Sequence, residues 1–191
     1  MPILDGIMEA IHSNQLAVAS FVVNFASTLI NAQRYFNISS ILDKKTYTDF
    51  HRPQYKGRLS FNISHSGNVV VCAMSQTYQV GVDVELVQEL DLIYFQQYLS
   101  EDEWQKINAS KAPYLAFLKY WTQKEAALKA DGRGLGLDIN HLNVVDSKIS
   151  ISNTVWHLNH IPLDPRYICH VATDKYLESN DLIVNNESFF F

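Results

Sequence analysis

Residues 113–130, PYLAFLKYWTQKEAALKA, form the clearest helix in the chain, and the helix sets the frame for everything around it. Pro113 stands in its first turn, where a missing N–H costs nothing, and Gly132 falls just past its end, where a C-cap favours glycine. Beyond it lie only short β-type runs: LNVVD (142–146), SKISIS (147–152), TVWHLNH (154–160) and YICHVATD (167–174). Ahead of it, VVVCAMS (69–75) and YQVGVDVE (78–85) read as an antiparallel hairpin turning near Ser75–Gln76–Thr77. Ser100 followed by Glu103 resembles a capping box that opens a helix at LSEDEW. The order is helices, a β pair, helices, then strands, which points to an α+β fold rather than a parallel sheet.

Residues 8–35 read as helical with a break near Ser13–Asn14. The apolar stretch QLAVASFVVNFASTLI (15–30) is expected to be a core helix. Ser20, Asn24, Ser27 and Thr28 interrupt it, and it falls short of the ~20 residues that a membrane span needs. Residues 43–60 read as loop, with His51–Arg52–Pro53 at a turn. VVCAMS and ICHVAT look faintly alike, as one unit used twice would.

With 191 residues, 47% hydrophobic and 18% charged, the chain can build one large domain or two small packed halves. A net charge of −5 argues against a nucleic-acid partner, which needs a basic face, yet leaves room for a local basic pocket holding a phosphate-bearing ligand. Cys72 and Cys169 sit in apolar β-type runs without a CxxC, and read as buried free thiols in a reducing cytosol. Asp5 and Glu9 stand where a secretory signal would carry positive charge, so a cytoplasmic location is expected.

Three segments carry chemistry. In GVDVE (81–85), Asp83 and Glu85 share one face of a strand while Val82 and Val84 share the other. Two like charges side by side are tolerated on a solvated face, or where a hard cation such as Mg²⁺ relieves their repulsion. On the helix, Leu118, Trp121, Glu125 and Leu128 lie on one stripe, where Glu125 interrupts an apolar face and Lys129 follows by four residues. That spacing fits a surface Glu–Lys pair, or a carboxylate aimed into a site with an ammonium beside it. An oxygen-only set of Asp83, Glu85 and Glu125 favours Mg²⁺ or Mn²⁺ over Zn²⁺. In FNISHSG (61–67), His65 flanked by Ser64 and Ser66 offers donors to an anion. The HxxH of WHLNH has no nearby acid and is a weak metal signal, and no GxSxG, Walker loop or dinucleotide fingerprint is present.

FNISHSG, GVDVE and WTQKEAALKADGRGL, in this order and at this separation, resemble the 4′-phosphopantetheinyl transferases of the larger, pseudo-dimeric type that includes the activator of surfactin synthetase. The motifs span residues 61–135. The resemblance implies two similar α+β halves related by a pseudo-twofold with the active site at their interface. An N-terminal half over residues 1–77 would hold the coenzyme A-binding His motif, and residues 78–191 would hold the metal-binding and catalytic motifs. It implies transfer of the phosphopantetheine arm of coenzyme A to a serine of an apo acyl or peptidyl carrier protein, with Mg²⁺ or Mn²⁺. Asp83, Glu85 and Glu125 match the metal-binding carboxylates, and Glu125 also matches the residue proposed to deprotonate the serine. Lys129 matches the lysine that contacts the phosphates and protonates the leaving group. Ser64 and His65 match a coenzyme A contact, and Arg52 matches a basic residue near the nucleotide. A cytoplasmic monomer with no nucleic-acid or membrane partner is expected. Residues 1–33 hold no Lys or Arg, leaving Arg34, Lys44, Lys45, Arg52, Lys56 and Arg58 as the basic residues ahead of the first motif. A Mg²⁺ phosphoesterase using the same carboxylates, and a non-catalytic carrier-binding module, are the alternatives.

Overall fold

The computed structural model of the protein describes residues 16–22, 45–47, 53–55, 59–133, 137–178 and 180–188. Two four-stranded sheets and one long helix position the site. The first sheet contains β1 (Leu16–Val22), β4 (Ser60–Ser66), β5 (Val69–Ser75) and β10 (Leu182–Ser188), in the order β10-β1-β5-β4. The second contains β6 (Val80–Leu86), β7 (Lys148–Ile151), β8 (Thr154–His160) and β9 (Tyr167–Thr173), in the order β6-β9-β8-β7. Short strands β2 (Lys45–Tyr47) and β3 (Pro53–Tyr55) pair with each other inside the stretch read as loop. Helices α1 (Glu101–Asn108) and α2 (Pro113–Asp131) complete the described α+β fold, with 3₁₀ turns at Leu92–Tyr98 and Ile139–His141.

The expected core helix over 15–30 is corrected in part: Leu16–Val22 is a strand, antiparallel to β5 and parallel to β10. Leu16 and Val18 are fully buried, two apart. The run LAVASFV is apolar but for Ser20, and such a run cannot be told from a buried helix by periodicity alone. The remainder of that expected helix lies outside the described residues.

The expected β5–β6 hairpin is also corrected. β5 pairs with β4 through a tight turn at Gly67 (φ +54°), whereas β6 leaves for the second sheet and pairs with β9. The Ser75 hydroxyl accepts from the Thr77 and Tyr78 amides, turning the chain between sheets instead of folding it back. LNVVD (142–146) forms no strand beyond a single bridge from Val145 to Lys148. The two faintly similar runs become β5 and β9, each a fully buried inner strand of its sheet. A division at residues 77/78 falls in the crossover between sheets, while β10 lies in the first sheet beside β1.

α2 forms as its sequence suggests. Pro113 occupies its first turn, and Gly132 caps its end at φ +87°, donating its N–H to Leu128 O. Ala126, Ala127, Leu128 and Ala130 are buried in one core cluster with Ile149, Ile151, Trp156 and Leu158 of the second sheet. The strand face opposite α2 turns inward: Val80, Val82 and Val84 are fully buried with Leu16, Val18 and Val71 between the sheets. Burying each such side chain stabilises the fold by roughly 1.5–3 kcal/mol, which anchors β6 and leaves its odd-numbered residues facing α2. At Gly81 the helix lies directly on the strand, and an added Cβ would overlap the Ala126 carbonyl oxygen and the Ala130 amide.

Candidate active site

The two sheets meet edge to face, and their joint is made of side chains. In β4 every second residue points at β6: Ser60 Oγ accepts from Val80 N (3.1 Å) and Asn62 Oδ1 from Val82 N (2.9 Å). Ser64 Oγ accepts from Val84 N (3.4 Å) and Ser66 Oγ from Leu86 N (3.0 Å). These four amides face away from β9, so without the joint an edge strand would carry a row of unpaired donors.

Two rungs of this joint also hold the carboxylates. Ser64 Oγ donates to Asp83 Oδ1 at 2.9 Å, and Ser66 Oγ donates to Glu85 Oε2 at 2.8 Å. The same three-part unit therefore occurs twice, displaced by two residues: Ser64 with Asp83 and Val84, then Ser66 with Glu85 and Leu86. From α2, Lys129 Nζ reaches both Asp83 Oδ1 (2.6 Å) and Ser64 Oγ (3.0 Å). Glu125, one turn earlier on the helix, is half-buried, and among the described residues it accepts no hydrogen bond. Its placement on an apolar stripe is as expected, since Leu118 and Leu128 are buried and Trp121 packs on Phe95, Tyr98 and Phe117.

Electrostatics tie the acids together. Burial is the main force raising the Asp83 carboxyl above its usual value, opposed by Lys129, Ser64 and the Val84 amide. Burial also raises Glu85, with Ser66, Lys129 and the Trp121 indole opposing and Asp83 adding to the rise. Glu125 is raised by burial first, then by Asp83, with Lys129 opposing and Glu85 contributing. Glu85 feels the negative charge of Asp83, and Glu125 that of both, so the cluster favours an added cation or proton. Asp83 Oδ2 is buried without a hydrogen-bond partner, an uncompensated desolvation that a hard cation would relieve. Among the described residues no three His, Cys, Asp or Glu side chains already stand at metal-ligating distances.

His65 alternates with Ser64 and is exposed, so the two side chains leave opposite faces of β4. The hydroxyls of Ser64 and Ser66, read from sequence as donors to an anion, donate to the carboxylates of Asp83 and Glu85. Arg52 lies outside the described residues. In WHLNH, strand alternation separates His157 from His160. His160 instead neighbours buried His170, which burial holds down at about 3 and which hydrogen-bonds Thr122 Oγ1 at 2.8 Å.

A second polar cluster braces the helix. Lys124, fully buried, pairs with Glu103 at 2.6 Å and donates to the carbonyls of Tyr98 and Ile139. Glu103 meanwhile closes the capping box with Ser100 and accepts from Val144 N. The capping box was visible in the sequence, whereas the partner of Lys124 comes from a separate helix and carried no local signal.

Two sheets joined at β4 and β6 gather the carboxylates of Asp83 and Glu85 at the joint, and a helix supplies a third acid and a lysine. The 4′-phosphopantetheinyl transferase superfamily model matches residues 79–180, and the chain belongs to that superfamily. It is 36% identical over 94 residues to the 4′-phosphopantetheinyl transferase gsp of Aneurinibacillus migulanus, covering 48% of this chain and 39% of that relative. It is 29% identical over 116 residues to the 4′-phosphopantetheinyl transferase Sfp of Bacillus subtilis strain 168, covering 56% and 51%. The matches thus span about half or less of these relatives' lengths. A solved structure, the holo-[acyl-carrier-protein] synthase of Thermotoga maritima, superposes with a TM-score of 0.39 at 18% identity, over 50% of this chain and 61% of that one.

Proposed function

We propose that this chain transfers the 4′-phosphopantetheine arm of coenzyme A to a serine hydroxyl of an apo acyl or peptidyl carrier protein, releasing adenosine 3′,5′-bisphosphate. The observation that carries this reading is the convergence of Asp83, Glu85, Glu125 and Lys129 at the joint between the sheets. The names of the chain's relatives, 4′-phosphopantetheinyl transferases, support the group transferred.

The chemistry asks for positioning and charge neutralisation. The serine oxygen bonds to the β-phosphorus of the pyrophosphate as the bond to the adenosine bisphosphate breaks, and charge grows on the phosphate oxygens. Asp83, Glu85 and Glu125 would hold Mg²⁺, or Mn²⁺, which supplies neutralisation of the pyrophosphate charge when bound. Glu125 has no competing hydrogen bond among the described residues and a raised proton affinity, both suited to accepting the serine proton directly or through water. Lys129, still 29% open, can turn from Asp83 to donate to the phosphates and to the leaving oxygen. His65, exposed beside the joint, and Arg52 are assigned to the nucleotide, with Ser64 as a further coenzyme A contact that also fixes Asp83. No described helix is long and apolar enough to cross a membrane, and we place the enzyme in the cytoplasm as a monomer.

The test is the intact mass of a panel of apo carriers incubated with the protein, coenzyme A and Mg²⁺. A gain of one phosphopantetheine on at least one carrier is expected. No gain on any carrier would overturn the reading, and carrier binding without gain would favour a non-catalytic module.

A further inference from the structure

The Ser66 hydroxyl works in both directions. It accepts from Leu86 N at 3.0 Å and donates to Glu85 Oε2 at 2.8 Å, so its single proton and one of its two lone pairs are directed. Glu85 needs such a partner more than Asp83 does. Its side chain has one more rotatable bond, and it is half-buried where Asp83 is 4% exposed. Asp83 is held from two sides, by Ser64 and by the Lys129 ammonium, while Glu85 takes the Ser66 hydroxyl at 2.8 Å and, among the described residues, has no cation at ion-pair distance.

Ser66 is itself pinned. The next residue, Gly67, turns the chain at φ +54°, and the Asn68 amide donates to the Tyr167 hydroxyl of β9 at 3.3 Å. The end of β4 is thus tied to the second sheet on both sides of the turn.

We propose that Ser66 is a positioning residue: it belongs to the first sheet and fixes the direction of the Glu85 carboxylate on the second, so that the cation site takes its final shape only when the sheets are joined. This rests on the reading of Asp83, Glu85 and Glu125 as cation-holding groups. Loss of a residue that orients a metal-holding side chain commonly weakens metal affinity by about 10–100-fold.

The test is Mn²⁺ alone, titrated into the full chain and its variants, with free Mn²⁺ followed by electron paramagnetic resonance. Ser66→Ala is expected to bind Mn²⁺ about tenfold more weakly than the wild type. Ser66→Thr, which keeps the hydroxyl, should restore most of the affinity. Asn62→Ala removes a rung that touches no carboxylate; it should lower the melting temperature while leaving Mn²⁺ affinity unchanged. The proposal is overturned if Ser66→Ala binds as the wild type does, if Asn62→Ala weakens binding equally, or if the wild type binds no Mn²⁺. Binding that behaves as expected in a wild type that loads no carrier would overturn the transferase reading and support this one.

Discussion

Lys129 Nζ and Asp83 Oδ1 stand 2.6 Å apart where α2 crosses β6, the carboxylate side chain 5% exposed and the ammonium side chain 29% exposed. The pair is lopsided, and that asymmetry decides what each deletion does. Breaking a sealed ion pair strands a charge, but Lys129 can turn to water when Asp83 is gone.

Asp83→Ala is therefore expected to abolish transfer while costing the fold only about 1 kcal/mol. Carrier mass spectrometry and urea unfolding of the same preparation check both halves. A variant that still loads carriers, or one that fails to fold, contradicts the assignment.

Glu125→Gln should separate stability from activity. Burial and the neighbouring acids raise the Glu125 carboxyl in the folded protein. Folding then favours the protonated form: that contribution is complete below the unfolded-state value and is lost as pH rises through the folded one. Glutamine removes the penalty, so the ligand-free variant should melt higher than the wild type near neutral pH. The gain should fade toward acid pH. Turnover should fall by about 10²–10⁴ as the proton acceptor is lost. Melting curves across pH read the first effect, and single-turnover loading reads the second.

Gly81→Ala tests the closeness of helix and strand. The new methyl would meet the backbone of Ala126 and Ala130, which has no rotamer with which to yield. A loss of about 1–3 kcal/mol is expected from urea unfolding. Activity should drop as well, because any retreat of α2 carries Glu125 and Lys129 away from β6.

The buried Lys124–Glu103 pair gives a double-mutant cycle. Lys124→Met leaves Glu103 sealed without its cation and should cost about 3–5 kcal/mol. Adding Glu103→Gln keeps one acceptor oxygen, enough for Ser100 N or Val144 N but not for both, while removing the stranded charge, so the double variant should recover part of the loss. Additive costs would show that the two side chains are not coupled.

How far the fold was legible depended on whether its causes were local. The cap at Ser100–Glu103, the span of α2 and the inward Val82 and Val84 follow from short-range periodicity, and all are present. Leu16–Val22 was misread because LAVASFV is apolar but for Ser20 and shows no two-residue alternation to reveal its period. The β5–β6 hairpin failed for a different cause: the partners of the outward β6 amides are side chains twenty residues earlier in the chain, beyond any window of periodicity. The alternation of Ser60, Asn62, Ser64 and Ser66 was present in the sequence, but nothing in it showed which edge that polar face would meet. For the site, the residue types were legible and their convergence was not, since β4, β6 and α2 come together only through the joint.

The last strand gives the protein a peculiar order of assembly. β10 lies parallel to β1, register Leu16↔Leu182 through Val22↔Ser188, so the first sheet to be synthesised takes its outer strand from the far end of the described chain. Closing that contact spans more than 160 residues, an entropic demand that slows folding. On the ribosome, β1 must wait with an open edge until the second sheet has emerged. The two halves therefore cannot mature one after the other, and a chain cut short before residue 182 keeps the joint between β4 and β6 but leaves a β-edge exposed to aggregation.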